Sequence, residues 1–341
     1  MKASILRILN KILKETHLQV RGRQQIAAEN KYISFLESLV LNSNPEHFQH
    51  NLEEPLSVEL IIFSKDRAMQ LYALLESIIY NFSEPIKTHI LYRSSSDQQE
   101  KSYQEVRKCV AGHNFNFVKE QSFRQDLIQL IQNIKSTKIF FLVDDIVFTE
   151  PLNIRDFVSI NTNQYVASLR LGKHLNFCYT LQKEQPLPLF FQEKEAGIAD
   201  DKIYWNWDEG TLDWHYPLSV DGHLFSTFEI KSMLPLMNFK APNSLEEEMQ
   251  TFAPLYLKRK GVAYWKAKIL NIPCNKVQEE NNNISAEEDV AYFLKKWNEG
   301  YQIDFLKLQH FVNTSVHQYV ALEYVERKQD KVNIINSKID R

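Results

Sequence analysis

Asp144 and Asp145 interrupt an apolar run: Ile139-Phe-Phe-Leu-Val143 leads into them and Ile146-Val-Phe148 follows. Such a run reads as a strand buried on both faces, and open α/β sheets place their ligands beyond the carboxyl ends of their strands. Two neighbouring carboxylates repel one another and are costly beside an apolar strand unless a cation or hydrogen-bond donor compensates. Mg²⁺ and Mn²⁺ suit this role, since they take oxygen ligands and commonly combine one or two carboxylates with substrate phosphates. The chemistry implied is a metal holding a phosphate. The plainer alternative is a pair of solvated acids capping a turn.

Two further segments carry residues of the right type. Ser64-Lys-Asp66-Arg67 follows the apolar run Leu60-Ile-Ile-Phe63, on the sheet edge that would also hold the two acids. Arg67 could fork to a phosphate or stack on a base, Asp66 could receive a base N–H or a ribose hydroxyl, and Ser64 could add a neutral hydrogen bond. An N-cap with a surface salt bridge would explain the same residues. Ser122-Phe-Arg124-Gln-Asp126 opens the helix before the acidic strand. Arg124 there could reach back over a ligand, whereas Asp126 is also what a helix N-terminus favours. Neither GxGxxG nor GxxxxGK[ST] occurs, and eight glycines leave little material for a phosphate cradle.

The elements that must position these groups alternate in period. The spacing predicts strands at Leu60–Ser64, His89–Tyr92, Phe115–Val118 and Ile139–Val143, with helices at Met69–Tyr80, Lys101–Val110 and Arg124–Ile134 between them. That succession implies a mainly parallel sheet with right-handed crossovers. Beyond Pro151 the pattern loosens: a strand at Tyr165–Arg170, an aromatic loop region at Trp205–Val220, helices at Ser226–Leu236, Leu245–Lys258 and Ala286–Trp297, and a polar loop at Glu279–Asn283. Residues 1 to about 50 read as helix, and Asn42–Pro55 as a linker.

The second half offers an acceptor side. Trp205-Asn-Trp207-Asp-Glu209 and Asp213-Trp214-His215 set flat rings beside acids, a combination that binds sugars, although packing in the core is the ordinary fate of tryptophan. Asp221, in Val-Asp-Gly-His223, and Glu246 or Glu247 are candidate general bases, with Asp221 slightly favoured. Ser244 and Glu247 also fit a capping box. His215 and His223 are alternative bases, but no HxH or HExxH spacing supports a zinc site, and no GxSxG elbow supports a serine hydrolase.

Composition is ordinary for a globular protein, and a formal net charge of −3 over 341 residues gives no footprint of nucleic-acid binding. Cys109, Cys178 and Cys274 are widely spaced and odd in number, as expected of reduced thiols in a cytoplasmic protein. Lys2, Arg7, Lys11 and Lys14 break up the apolar residues at the N-terminus, so no signal-peptide core is expected. The same segment, with Ile5, Ile8, Leu9, Ile12 and Leu13 on one face, is a basic amphipathic helix. It suits peripheral contact with the inner face of a membrane, oligomerisation, or docking on its own domain.

Taken together, Ser-Lys-Asp-Arg67 after a strand, Phe123-Arg-Gln-Asp-Leu127 and Phe141-Leu-Val-Asp-Asp145 resemble the nucleotide-sugar half of a GT-A glycosyltransferase of the bacterial family-2-like kind. The likeness continues through Ser168-Leu-Arg-Leu-Gly172, Tyr216–Gly222, Pro242–Glu246, Asn275–Gln278 and Asn313–His317, covering about residues 57–325. It implies an α/β fold with a Rossmann-type, mainly parallel sheet flanked by helices. The implied organisation is a helical extension over 1–50, a catalytic domain over 57–280 divided into a nucleotide-sugar half (57–150) and an acceptor half (151–280), and a closing helical segment over 285–341. It further implies transfer of a sugar, by default from a uridine-diphosphate donor and with inversion, to a hydroxyl of a glycan or lipid-linked acceptor in surface-polysaccharide assembly.

In that resemblance Asp145 is the direct ligand to Mn²⁺ or Mg²⁺, Asp144 shares the metal or contacts ribose, and His317 is a third metal contact. Ser64, Asp66, Arg67 and Arg124 face the nucleotide. Val143 stands where the family's Asp-x-Asp motif has its first acid. Two rival readings use the same residues: a nucleotidyltransferase on this sheet edge, and a non-catalytic glycan-binding or scaffold protein that keeps the fold.

Overall fold

The computed structural model describes residues 23–42, 57–191, 201–273 and 289–327. The basic N-terminal amphipathic segment, most of the 42–55 linker, Asn275–Gln278 and the 279–283 loop lie outside these. Helix α1 (Arg23–Asn42) precedes an alternating series: β1 (Val58–Lys65), α2 (Ala68–Asn81), β2 (Thr88–Arg93), α3 (Asp97–Cys109), β3 (Phe115–Lys119), α4 (Phe123–Asn133), β4 (Lys138–Val143) and β5 (Ile146–Phe148). The second half contributes α5 (Arg155–Val158), β6 (Tyr165–Ser168), the small hairpin β7 (Phe177–Cys178) and β8 (Lys183–Glu184), β9 (Lys202–Asn206), β10 (Leu224–Ser226), α6 (Thr227–Met233), α7 (Pro242–Met249), α8 (Ala253–Tyr256), β11 (Lys260–Tyr264), β12 (Ile269–Asn271), α9 (Val290–Asn298), β13 (Tyr301–Ile303) and β14 (Tyr324–Glu326).

The main sheet runs β10-β4-β1-β2-β3, with β4, β1, β2 and β3 parallel and β10 antiparallel at one edge. Strands covered on both faces must be apolar at every position, and β1 shows why the run Leu60–Phe63 has no polar residue. Leu60 and Ile62 pack into one core with Leu74, Tyr103 and Val106, while Ile61 and Phe63 pack into the other with Phe123, Leu127 and Phe35. Phe140 and Leu142 of β4 alternate with Ile139 and Phe141 in the same way. Each core residue is therefore committed to one side by a period of two, and a one-residue slip would exchange the two cores.

The helices start where local chemistry permits. Ser96 caps α3 by accepting from the Gln99 amide at 3.2 Å, with Asp97 and Glu100 in the first turn and Arg107 and Lys108 in the last. Asp126 accepts from the Gln121 and Ser122 amides at 2.6 and 2.8 Å, so it ties down the start of α4. At α7 the expected capping pair is shifted: Ala241 is the N-cap, and Ser244, three residues on, accepts the Ala241 amide at 3.1 Å, while Glu247 is exposed.

Chain order β1, β2, β3 proceeds outward in one direction, and β4 then returns to the other side of β1. The crossover direction reverses between β1 and β4, and the crevice outside their carboxyl ends is where an open α/β sheet receives ligands. The segments 64–67 and 144–145 flank that crevice. A smaller sheet, β6-β11-β9, and the antiparallel pair β12-β5 lie in the second half. Among the described residues no helix is long and apolar enough to cross a membrane.

Candidate functional site

β4 ends at Val143, and Asp144 and Asp145 form a tight turn into β5. The turn is pinned at both ends: the Asp144 amide donates to the Phe63 carbonyl at 3.1 Å, and the Ile272 amide donates to the Asp145 carbonyl at 2.8 Å. Arg67, the residue before α2, lies across the turn. Its Nη1 stands 3.0 Å from Asp144 Oδ1 and 3.0 Å from Asp145 Oδ2. The other oxygen of Asp144 accepts the Lys65 amide at 3.1 Å.

One guanidinium thus serves two buried acids, and the count of partners comes out uneven. Asp144 has both oxygens engaged, whereas Asp145 Oδ1 is buried with no hydrogen-bond partner. Burial raises both carboxyls above their usual range. For Asp145 burial dominates, Arg67 and His317 pull the other way, and the charges of Asp144 and Asp221 push it further, to about 6. A carboxylate at this position gains from any further cation.

Asp221 and His317 approach this turn from distant parts of the chain, which the backbone explains. β10 is antiparallel to β4, so the residues preceding it arrive at the carboxyl end of β4, where the Gly222 amide donates to the Phe141 carbonyl at 2.8 Å. Gly222 has φ +77°, and a Cβ there would stand 2.5 Å from Ile269 Cδ1, so this tight approach needs glycine. His317 is delivered by a bridge to Asn271 at the end of β12. Its Nε2 lies 3.1 Å from Asp221 Oδ2, and its Nδ1 is buried without a partner. Burial opposes charge on both side chains. The bond between them outweighs it, holding Asp221 below the ordinary carboxylate range and raising His317.

Arg170, just past β6, anchors the remaining acids. It reaches Asp213 Oδ1 at 3.0 Å, Ser219 Oγ at 2.7 Å and Asp221 Oδ2 at 3.5 Å. Ser219 in turn donates to Glu246 Oε2 at 3.0 Å, which also accepts the Val220 amide at 2.7 Å. Glu246 is raised by burial and by Asp221. Its hydrogen bonds make it a brace for the 219–221 loop, set back from Asp145, whereas the charge of Asp221 acts on Asp145 directly.

Several residues singled out in the sequence have other work. Ser64 is buried, 2.7 Å from the Tyr103 hydroxyl, which also accepts the Arg67 amide at 3.1 Å, and its hydroxyl also favours the ionised Asp144, so it supports the Arg67 backbone and the acid turn together. Asp66, at φ +54°, accepts from Ser95 N and Ser95 Oγ, both at 2.7 Å; its two oxygens tie the loop after β2 to the loop after β1. Arg124 donates to the Met237 and Pro235 carbonyls at 2.8 and 3.0 Å and rests on Phe239, an attachment of α4 to the segment after α6 and not to the acids.

The tryptophan expectation is corrected outright. Trp205, Trp207 and Trp214 are all 0% exposed and pack on one another at 4.7 and 5.1 Å, with Trp205 on strand β9 and not in a loop. His215 and His223 are also structural. Each contacts a carbonyl through Nδ1, and burial with the neighbouring Arg170 drives His223 down to about 3. Arg170 and Ser219 are not singled out by the sequence, and Asp213, read there as an acid beside a sugar-stacking ring, is instead the partner of Arg170. Arg170 lies in Ser168-Leu-Arg-Leu-Gly172, where an arginine flanked by leucines is the signal the sequence carries.

A divalent cation was expected here. Among the described residues no group of three or more His, Cys, Asp or Glu side chains is gathered as a cage for one. The unpartnered Asp145 Oδ1 nonetheless fits Mg²⁺ or Mn²⁺ in the mode in which the protein gives one carboxylate and water and phosphates supply the rest.

Over 192 residues, 52% of this chain, the sequence is 26% identical to the bifunctional glycosyltransferase pgtA of Dictyostelium discoideum, and the chain spans about a quarter (25%) of that protein. No family model matches the chain. Among solved structures it is similar to TarS of S. aureus, with a TM-score of 0.39 at 11% identity over 62% of this chain and 36% of that one. It is also similar to a nucleotidyl transferase from Methanothermobacter thermautotroptrophicus, with a TM-score of 0.36 at 10% identity over 73% of this chain and 98% of that one.

Proposed function

We propose that this chain is a nucleotide-sugar-dependent glycosyltransferase whose diphosphate-binding centre is the Arg67–Asp144–Asp145 cluster. The observation that carries the reading is the buried, unpartnered Asp145 Oδ1 at the β1/β4 switch point, a carboxylate oxygen that lacks only a cation. The sequence similarity to a glycosyltransferase supports the transfer of a sugar over the nucleotidyltransferase alternative. The absence of a glycine-rich loop after β1 favours the same choice.

In this reading Asp145 is the protein's ligand to Mg²⁺ or Mn²⁺, with Asp144 holding Arg67 in place and His317 beside it. The ion, when bound, neutralises the diphosphate as it leaves. Arg67 keeps one fork of its guanidinium on the two acids. Asp221 takes the proton of the acceptor hydroxyl: it is held ionised by His317 and Arg170, and outside the turn itself it is the carboxylate whose charge acts on Asp145. Attack by that oxygen on the sugar's anomeric carbon, from the side opposite the diphosphate, gives inversion with no covalent intermediate. The donor is by default a uridine diphosphate sugar, and the acceptor a glycan or lipid-linked hydroxyl in surface-polysaccharide assembly.

Thermal shift with nucleoside diphosphates and nucleotide sugars, with and without Mn²⁺, tests binding, because a ligand of the native state raises apparent stability. Release of nucleoside diphosphate from a sugar donor separates a glycosyltransferase from a nucleotidyltransferase, which releases pyrophosphate. Absence of Mn²⁺-dependent nucleotide binding, together with cellular glycan unchanged by Asp145→Asn, would leave the scaffold reading in possession.

A further inference from the structure

Four of the five tryptophans, Trp205, Trp207, Trp214 and Trp297, are 0% exposed, while Trp265 is 49% exposed. A large aromatic ring held in solvent forfeits the hydrophobic gain that buries the others. Trp265 is nevertheless fixed. Its indole N–H donates to the Lys202 carbonyl at 3.3 Å, and its backbone joins it to the neighbouring ribbon, where the Lys173 amide donates to the Trp265 carbonyl at 2.9 Å.

The ammonium of Lys173 lies 4.1 Å from the Trp265 ring centroid and 5.8 Å from that of Phe190. Lys173 is exposed and makes no salt bridge among the described residues. Two of its lysine neighbours differ: Lys266 is bound to Glu150, and Lys202 lies 3.2 Å from Asp156 Oδ2, while Lys268 rests on the buried Tyr264 ring. A positive charge with aromatic company and, among the described residues, no carboxylate partner is complementary to an anion. A half-exposed indole is complementary to the apolar face of a sugar ring.

The position joins this pair to the centre already described. Arg170, whose guanidinium touches Asp221, precedes Lys173 by three residues, at most about 10 Å of extended chain. On the facing segment, the Lys268 amide donates to the Leu169 carbonyl at 2.8 Å, and β12 then leads to Asn271, whose side-chain Nδ2 reaches Asp221 Oδ2 at 3.4 Å. Two backbone hydrogen bonds therefore hold the segment 169–173 against 265–268, with Asp221's partners Arg170 and Asn271 at one end and Trp265 with Lys173 at the other.

We infer that Trp265 and Lys173 form an acceptor subsite for an acidic saccharide, the indole stacking on a sugar ring and the ammonium pairing with a carboxylate or phosphate on that ring or its neighbour. This rests on the glycosyltransferase reading and specifies the acceptor class. It also moves the aromatic platform from the three buried tryptophans to the one in solvent.

The test uses the full chain and acrylamide quenching of tryptophan emission, which reports on Trp265 because the other four rings are buried. Three disaccharide probes are compared: one carrying a hexuronic acid, one carrying a glycerol phosphate, and one neutral and of the same size. At least one charged probe should shield Trp265 at a concentration ten-fold or more below that needed for the neutral one. Whichever charged probe binds identifies carboxylate or phosphate as the recognised group. Lys173→Gln should abolish the preference and Lys173→Arg retain it. Trp265→Ala, which removes a side chain already half in solvent, should abolish the quenching response. Equal shielding by the neutral probe, no shielding by any probe, or an undiminished preference in Lys173→Gln overturns the assignment. Nucleoside diphosphate binding measured alongside keeps the two ideas apart. Shielding without nucleotide binding removes the transferase reading and leaves an acidic-glycan site, whereas nucleotide binding without shielding removes the subsite alone.

Discussion

Two buried arginines meet carboxylates on opposite terms in this molecule. Arg259 meets Glu229 in a fork: Nη1 lies 3.0 Å from Oε2 and Nη2 2.5 Å from Oε1, with the Tyr256 hydroxyl donating to the same carboxylate at 2.8 Å. One charge faces one charge, and both oxygens are used. Arg67 instead offers a single nitrogen to two acids and leaves a buried oxygen with nothing. Asp221, paired with His317 and Arg170, adds its charge at Asp145, and Arg170 in turn holds Asp213. A pair that serves the fold is balanced. A cluster with surplus acid at a switch point is, on the function proposed above, arranged for a charge that comes from outside.

The sharpest way to break the comparison is to remove each arginine. Arg259→Ala should cost about 3–5 kcal/mol in urea unfolding, since it strands Glu229, with catalytic parameters of the remaining folded protein unchanged. Replacing both partners, Arg259→Met with Glu229→Leu, should recover most of that loss. Arg67→Ala should instead abolish nucleotide binding, and pairing it with Asp144→Leu should recover stability but not binding. If the double replacement at Arg67 restores binding, the cluster is structural after all.

Asp145→Asn should cut diphosphate release by at least about 100-fold, roughly 2.7 kcal/mol of transition-state stabilisation. With EDTA present the same variant should be more stable than the parent at neutral pH. The sign follows from the raised carboxyl: its pKa is about 6 in the fold against an ordinary 3.8, so the folded state holds the proton more tightly. Its contribution to stability is present below pH 3.8 and is lost as pH rises through 6. The advantage of Asn over Asp should therefore open across that window and level off above it, at about 1–3 kcal/mol. A gap that closes with rising pH would show that burial does not dominate at Asp145.

Smaller effects test the supports. Gly261 faces Trp205 across the β11–β9 pair, and a Cβ there would stand 2.1 Å from the indole, so Gly261→Ala should cost about 1–3 kcal/mol in thermal unfolding while nucleotide binding by the folded protein is unchanged. Asp66→Ala should lower stability by about 1 kcal/mol through loss of its two bonds to Ser95. A selective rise in donor KM with no change in stability would instead return Asp66 to the nucleotide.

Much of the first half was legible because its signals are local. Leu60–Phe63 and Ile139–Val143 announce doubly covered strands by containing nothing polar, and the acids that end the second run mark the sheet edge. What the sequence hid were choices made over long distances. Nothing in Trp205-Asn-Trp207 shows that Gly261 lies beneath the first ring and lets it be buried. Nothing around Arg124 shows that the Pro235 and Met237 carbonyls wait opposite it. Arg170 became readable only once β10, reversed against its neighbours, carried Asp221 to the same edge.

The reversed strand also gives the molecule an order of assembly. A chain emerging from the ribosome through residue 150 already holds the four parallel strands, Arg67 and both turn acids, and it can close that part of the charge cluster alone. Asp221 enters only with β10, and His317 only after α9 and β13 have been made. Synthesis thus lays down the parallel part of the sheet first and its reversed edge strand later, and the side chains that meet at the Asp144–Asp145 turn are brought together last.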